Sequence, residues 1–506
     1  MTTRRSLLSL ALAAALPPAF TRHARAADAD RFALGVASGC PRPEGIVLWT
    51  RLVGDELPER VEVRWEVAHD EGFSRIAARG SETAEAAWAH SVHAEVGALE
   101  PGRWYWYRFS ALGAMSAAGR TRTAPAADAS EPLRFAVASC QRWDHGHYAA
   151  WRDAAESPLD LVLFLGDYIY EYASPPGRVR RHAGGECLTL ADYRERHAQY
   201  KGDALLQRAH RHAPWIVVWD DHEVQNDYAD DQGQMPDQPE MFLARRAAAY
   251  QAYWEHLPLP KAARPRGPAM RIFERYDWGR LARIHALDAR QYRDHQACPR
   301  PGRGGSNTVW ASGCAALADP KRTLLGAAQE RWLAEGWSRE RQWNLLAQQT
   351  LMARLSWRDP RAESGPMVWT DGWDGYPAAR RRLLDGIAER RLDNVVVLGG
   401  DVHANYVADL KADFDDANSP LLASEFCGTS ISSEGAAQSR LEAVLPFNPH
   451  IRYGRSDERG YGRFMLDAHV LQAELRTVER PLDPASTVRS AARFVVESGC
   501  AGAVPA

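Results

Sequence analysis

The 506-residue chain carries 62 Lys and Arg against 65 Asp and Glu, a formal net charge of −3, with both signs spread along its length. That balance, without long basic blocks, argues against a polyanionic partner and against sequence-specific nucleic-acid binding. At about 150 residues per domain the length predicts two or three domains.

The chain opens with Thr3-Arg4-Arg5-Ser6-Leu7-Leu8, an apolar stretch from Leu7 to Leu16, and Ala24-Arg25-Ala26 at the cleavage positions. This is the pattern of an export signal over residues 1–26. The twin arginines point to the Tat route, which carries folded proteins; an ordinary Sec signal is the alternative. The apolar stretch is too short for a membrane span, and no other segment approaches the roughly 20 apolar residues a span needs. The expectation is a periplasmic or secreted protein with no stable membrane anchor, partnered by the Tat translocase during export.

Residues 30–124 read as a small all-β unit. Val61-Glu62-Val63-Arg64-Trp65-Glu66-Val67 alternates with a period of two, and Pro101-Gly102 precedes an aromatic run from Trp104 to Phe109. That is a sandwich of the immunoglobulin or fibronectin sort, and it offers no catalytic residues. Ala124 to Pro132 has the composition of a linker. From Leu133 onward, apolar strand runs alternate with helical stretches such as Arg245 to His256 and Gln329 to Glu335. The alternation predicts a layered α/β domain over residues 133–506, and Ser486 to Glu497 reads as its C-terminal helix. Ala173 to Gly185 and Gln296 to Gly313 are long loops, placed by expectation near the mouth of a site.

Five apolar runs in that domain end in side chains that can hold a metal. Leu133 to Ser139 ends in Cys140, and Leu161 to Gly166 ends in Asp167, with Tyr170 a helical turn further on. Trp215 to Trp219 ends in Asp220, Asp221, His222 and Glu223, with Asn226 close behind. Ala282 to Leu287 ends in Asp288. Asn394 to Gly400 ends in Asp401 and His403. The carboxyl edge of an open α/β sheet is where ligands bind. A single acid there is a common loop opener; the repetition points to a polynuclear metal site.

Asp167, Tyr170, Asp221 and Asp401 are hard oxygen donors suited to Ca²⁺, Mg²⁺, Mn²⁺ or Fe³⁺. A phenolate from Tyr170 and a thiolate from Cys140 would together favour trivalent iron, the bland alternative being a buried thiol and a core aromatic. Paired metals clamp a phosphate and activate a water, so the chemistry is phosphoester hydrolysis. His222 could protonate the leaving group or, structurally, pair with Glu223. Of seven cysteines, Cys298 and Cys314 flank a Gly- and Pro-rich loop and form the most plausible bridge, with Cys140 the best candidate to stay single.

At Gly166-Asp167-Tyr168-Ile169-Tyr170-Glu171, Trp219-Asp220-Asp221-His222-Glu223, Leu287-Asp288-Ala289-Arg290-Gln291-Tyr292 and Gly400-Asp401-Val402-His403-Ala404-Asn405 the chain resembles the PhoD-type alkaline phosphatases. Phe32 to Gly39 and Val47 to Arg51 resemble that family's N-terminal β domain. The resemblance implies a calcineurin-like metallophosphatase core, a four-layer α/β/β/α sandwich, with Fe³⁺ and Ca²⁺ as cofactors. Position by position it implies that Cys140, Asp167 and Tyr170 hold iron, with Asp167 bridging to calcium. Asp221 and Asp401 would serve calcium, His403 would ligate or support the ligands, and Asn226 would touch metal or substrate. Cys40 stands where the family pattern shows an acid, which leaves room for an additional disulfide. The implied substrates are small phosphoesters or phosphodiester polymers, hydrolysed by a metal-activated water or hydroxide. Alternatives are a phospholipase D-like phosphodiesterase and a non-catalytic envelope protein that binds metals or polyanions. A metallopeptidase is disfavoured because no His-Glu-x-x-His run occurs.

Overall fold

A computed structural model describes residues 30–236 and 238–506; the export signal expected over residues 1–26 lies outside them. Strands Leu161–Leu165 and Val395–Gly399 show why five-residue apolar runs become central strands. Val162 and Phe164 point into a core shared with helices, whereas Leu161, Leu163 and Leu165 point toward the opposing sheet. Strands buried on both faces have no polar side to show, hence the unbroken hydrophobicity.

The larger sheet has ten strands around a parallel centre of Leu133–Ala138, Leu161–Leu165 and Trp215–Val218. The second has seven strands, with Ala282–Ala286, Trp343–Ala347, Val395–Gly399 and Leu421–Cys427 running parallel. The two sheets face each other across Leu163, Ile216, Phe464, Ile284, Leu345 and Phe426. Helices Ala149–Glu156, Leu190–Lys201, Ala204–His212 and Pro239–His256 cover the outer face of the larger sheet, and Gly326–Gly336 and Pro377–Arg390 cover the smaller. The result is the four-layer α/β/β/α sandwich.

The N-terminal β region is joined to this core through its backbone. Strands Val36–Arg42, Gly45–Arg51 and Ser91–Val96 extend the ten-stranded sheet, while Arg60–Ala68, Ile76–Glu85, Trp104–Ala111 and Gly119–Arg122 belong to a separate sheet. That second sheet packs onto the first through Val63, Val67, Tyr107, Leu48 and Val92. At the other end of the chain, the helix expected over Ser486–Glu497 is instead strand Val488–Glu497, antiparallel to Val470–Val478. Ala492, Phe494 and Val496 turn inward at a spacing of two, and a long open edge is there to pair with. Tertiary pairing of a β-branched run outweighs the helix propensity of its alanines.

Gly39 stands opposite Trp215 where the N-terminal strand joins the core. A Cβ on Gly39 would lie 2.6 Å from the Pro258 carbonyl oxygen and 2.7 Å from that of Trp215. Gly39→Ala should therefore lower stability by about 2 kcal/mol, the cost of overpacking between rigid backbones. Gly97→Ala, with nothing within 4 Å of its Cβ, is the neutral control, and thermal unfolding of both variants reads the difference.

Candidate metal centre

The strand ends of both sheets deliver their polar side chains to one point through tight turns. Cys140, Asp167, Asp227, Asp401 and His403 all have positive φ, between 51° and 64°. For residues with a Cβ this is costly backbone, sustained only where the surroundings dictate it. Cys140 donates its backbone N–H to the Gly166 carbonyl at 3.0 Å, and Gln141 donates to that of Asp167 at 3.1 Å. Gly166, at φ +106°, is pressed so closely on Asp220 that a Cβ would come within 2.5 Å of that residue's Cβ. The buried Glu223 carboxylate caps the turn by accepting the N–H groups of Asp167, Tyr168 and Asp220 at 3.1, 2.5 and 2.8 Å.

In one half of the centre, metal-binding atoms of Cys140, Asp167 and His403 lie within 4.8 Å of one another. The Tyr170 hydroxyl donates to Asp167 Oδ2 at 2.7 Å, accepts from the Ser433 hydroxyl at 2.8 Å, and lies 3.0 Å from His403 Nε2. His403 Nδ1 is 2.7 Å from the Glu434 carbonyl oxygen, which can only accept. The proton therefore sits on Nδ1 and leaves the Nε2 lone pair facing the cluster.

In the other half, Asp220, Asp221 and Asp401 gather, as do Asp221, Asp227 and Asp371. One buried guanidinium serves this crowd. Arg290 pairs with Asp220, approaches Asp371 at 2.8 Å, and has Asp221 and Asp401 at 3.8 and 4.0 Å. Arg293 and Gln296 also bond Asp371 Oδ1, at 2.8 and 2.7 Å. Even so, Asp167 Oδ1, Asp220 Oδ2, Asp221 Oδ1 and Asp401 Oδ2 are buried atoms with no hydrogen-bond partner among the described residues.

The electrostatics follow from that crowding. Burial pushes Asp220 up to about 8, against the pull of Arg290 and with the push of Asp221 and Asp167. Burial and Asp220 drive Asp401 well above the carboxylate range. Burial would raise Asp221 too, but Arg290 and His222 hold it low. Burial, then Asp167, raise both the Cys140 thiol and the Tyr170 phenol far above their usual values. Like charges sharing a dry site suppress each other's ionisation.

Cys140, Asp167, Tyr170, Asp221, His222, Asn226, Asp401 and His403 meet at this edge. Asp288, the tip of the fifth run, does not join the cluster, because its Oδ1 accepts from Trp219 Nε1 and from the N–H groups of Arg290 and Gln291 and caps its own turn. His222 does not pair with Glu223. Its Nδ1 lies 2.7 Å from Glu171 Oε2, and the other oxygen of Glu171 accepts the Asn226 N–H at 2.8 Å. Glu171 and Arg290 lie inside sequence motifs that do not disclose their roles, and Asp227 and Asp371 carry no sequence signal of a site. Asp371 follows Met367–Trp369, a strand of three residues, too short to register as a periodic signal. Cys40 is a buried free thiol that accepts a hydrogen bond from the Tyr276 hydroxyl at 3.3 Å, so it makes no further disulfide.

A cleft of about 370 Å³ opens over the centre, lined by Asp167, Asp221, His222, Asn226, Asp401 and His403, with an apolar side formed by leucines and tryptophans. The two long loops do stand at its mouth: Arg178 of the first pairs with Glu434 at 2.6 Å, and Ser306 of the second donates its hydroxyl to Asp227 at 2.6 Å. Cys298 and Cys314 form a disulfide in the second loop.

A paired-sheet sandwich with carboxylates, imidazoles, a thiol and a phenol at its strand ends defines a metallophosphatase. A sequence profile of the PhoD-like phosphatases matches residues 135–475, and one of that family's N-terminal domain matches residues 16–125. Over 487 residues the chain is 43% identical to alkaline phosphatase D of Bacillus subtilis (strain 168), covering 93% of this chain and 82% of that protein. A solved structure of PhoD superposes with a TM-score of 0.89 at 42% identity, covering 94% of this chain and 92% of that one. A purple acid phosphatase from yellow lupin (Lupinus luteus) seeds shares the fold, with a TM-score of 0.58 and 12% identity over 91% of this chain and 74% of that one. The chain belongs to the PhoD-like phosphatase family and is a metal-dependent phosphoester hydrolase.

The disulfide loop contributes strand Thr308–Trp310, which pairs with Met367–Trp369 just before Asp371. Replacing Cys298 and Cys314 together by Ser should cost about 3 kcal/mol, the chain-entropy value for closing a loop of roughly 15 residues. Because Asp371 follows closely on the strand it steadies, KM should rise as well. Thermal unfolding and steady-state kinetics of the double variant test both effects.

Proposed function

We propose that the chain is an exported alkaline phosphoesterase in which Cys140, Asp167 and Tyr170 hold Fe³⁺ and Asp221 and Asp401 hold Ca²⁺, with Asp167 shared between them. The observation that carries this reading is the set of buried carboxylate oxygens, on Asp167, Asp221 and Asp401, that no donor among the described residues satisfies. A buried charged atom without a partner is expensive, and a multivalent cation is the group that relieves several at once. The donor set fits the two ions differently. Thiolate and phenolate suit iron, while carboxylates alone suit calcium. His403, its proton fixed on Nδ1, adds a neutral nitrogen on the iron side.

Such ions, when bound, place positive charge on phosphoryl oxygens and lower the pKa of water at the site. The protein's own groups orient the ester and move its protons. Burial alone would lower the pKa of His222, but Glu171, Asp221 and Asp167 face it and hold it well above the ordinary value. His222, with Nδ1 held against Glu171, lines the cleft where its ring can pass a proton to the departing ester oxygen. Asn226, on the same turn, lines the cleft where its amide can meet a phosphoryl oxygen. Residues 1–26 as a Tat signal supply the export step. No helix among the described residues is long and apolar enough to cross a membrane. Phosphomonoesters and phosphodiesters are both substrates on this reading.

Elemental analysis of the purified protein should find iron and calcium together, and a calcium chelator should abolish hydrolysis of p-nitrophenyl and bis-p-nitrophenyl phosphate until Ca²⁺ is restored. Full turnover in a calcium-free sample would overturn the calcium assignment. Asp167→Asn and Asp401→Asn should each lower kcat more than about tenfold, or 1.4 kcal/mol of barrier. The iron assignment has its own readout: Tyr170→Phe and Cys140→Ser should each shift or bleach a visible charge-transfer band and reduce the iron content. A colourless, iron-free and fully active protein would refute it.

A further inference from the structure

The apolar side of the cleft has no part in holding metal or phosphate, yet it is built with care. Leu351, Leu355, Trp357, Trp369 and Leu441 line it alongside the acids, and Arg440 stands at its rim with its guanidinium 4.5 Å from the centre of the Trp357 ring. Trp357 packs on the core of the smaller sheet yet stays half-exposed, as does Trp369, so both keep ring surface open to the cleft. The segment that carries Leu351, Leu355 and Trp357 is locked by buried polar groups. Glu425 accepts the backbone N–H groups of Met352 and Ala353 at 2.6 and 2.7 Å. Asp374 accepts that of Leu355 at 2.9 Å. The buried Asn448 amide clamps Ser356 on both sides, accepting its N–H at 2.8 Å and donating to its carbonyl at 2.9 Å. Trp357 itself donates to the Met367 carbonyl at 2.8 Å. A loop whose backbone is satisfied one residue after another presents its side chains in a fixed arrangement, which is what a binding surface requires.

We propose that this shelf is the subsite for the organic arm of the ester, and that it selects phosphoesters whose arm presents a flat aromatic face. The inference rests on the phosphoesterase reading above and names its substrate class. Tryptophan rings favour stacked or edge-on aromatic partners, and the Arg440 cation at the rim adds an attraction for a π-face. A small hydrophilic arm would leave the same apolar surface wet and gain nothing from it. Trp357 is the specificity-determining residue, because its ring joins the locked segment to Arg440.

The test is calorimetric titration of the metal-loaded protein with phenylphosphonate and with methylphosphonate, which share a phosphoryl group and are not hydrolysed. Phenylphosphonate should bind about tenfold more tightly, the upper range of an aromatic contact. Trp357→Ala should erase most of that preference while changing methylphosphonate affinity less than about twofold, and Trp357→Phe should keep it. Equal affinities in the native protein, a comparison that needs no variant, would overturn the subsite, as would a preference that survives Trp357→Ala. Parallel assays of 1-naphthyl phosphate and glycerol phosphate separate the two levels of the argument. A protein that prefers phenylphosphonate but hydrolyses neither ester refutes the phosphoesterase reading; one that hydrolyses both but binds the phosphonates alike refutes the shelf.

Discussion

Carboxylates that repel one another, held together where water is scarce, set the terms for the rest of this molecule. Two like charges about 4 Å apart cost roughly 4 kcal/mol even at an effective dielectric constant of 20. Asp167, Asp220, Asp221, Asp371 and Asp401 all converge on one edge, and Arg290 reaches four of them. Arg290 leaves the end of a strand in the smaller sheet, whereas Asp220 leaves a strand of the larger. Their ion pair therefore ties the two sheets together at the site. It neutralises part of the repulsion and leaves the rest, in oxygens without partners, for a cation. The protein is thus folded toward a bound state, and that state completes the balance of charge.

Holding such a cluster requires backbone that would not form by itself. Left-handed conformations at Cys140, Asp167, Asp401 and His403 cost of order 1–3 kcal/mol each. They turn each side chain inward immediately after its strand. What sustains them is the double-sided burial of those same strands. Leu161, Leu163 and Leu165 anchor one face and Val162 and Phe164 the other, so the strand end cannot slide to relieve the strain. Glu223 adds a local brace by taking three backbone N–H groups that the sharp turn would otherwise leave bare. The strength of the core and the strain at the site are two ends of one arrangement.

This coupling explains what could be read from the sequence. Residues that must be both at a strand end and chemically competent leave a signature of two parts, an apolar run and a polar tip. Cys140, Asp167, Asp221 and Asp401 are visible for that reason, and the alternation of such runs with helical stretches gives the layered α/β class. The four-layer arrangement comes only from the family resemblance that the motifs carry. Asp371 and Asp227 carry no such signature, because their positions depend on a three-residue strand and on a turn held by Ser306. Glu171 lay within a motif, but its partner His222 is 51 residues away, so only the folded chain shows that the two meet. Ser486 to Glu497 reads as a helix because its alanines and arginines favour one locally, while the free edge that captures it as strand Val488–Glu497 is formed by strands earlier in the chain. The backbone join between the N-terminal strands and the core was hidden for the same reason. A run such as Val36 to Arg42 reads identically whether its neighbour is in its own domain or in the next.

The two walls of the cleft stand in different relations to the chemistry at its floor. Trp357 belongs to a segment whose backbone is fixed by Glu425, Asp374 and Asn448, none of which approaches the acid cluster through a hydrogen bond. Its side chain can change without disturbing the metal-binding groups. Trp369 is in the opposite position. It lies two residues before Asp371, on the short strand paired with Thr308–Trp310, so a change there displaces a carboxylate that Arg290, Arg293 and Gln296 all grip. Substrate choice is therefore separable from catalysis at Trp357 and bound to it at Trp369. On physical grounds alone, the first position is where specificity can drift among members of such a fold, and the second is where drift would cost the centre itself.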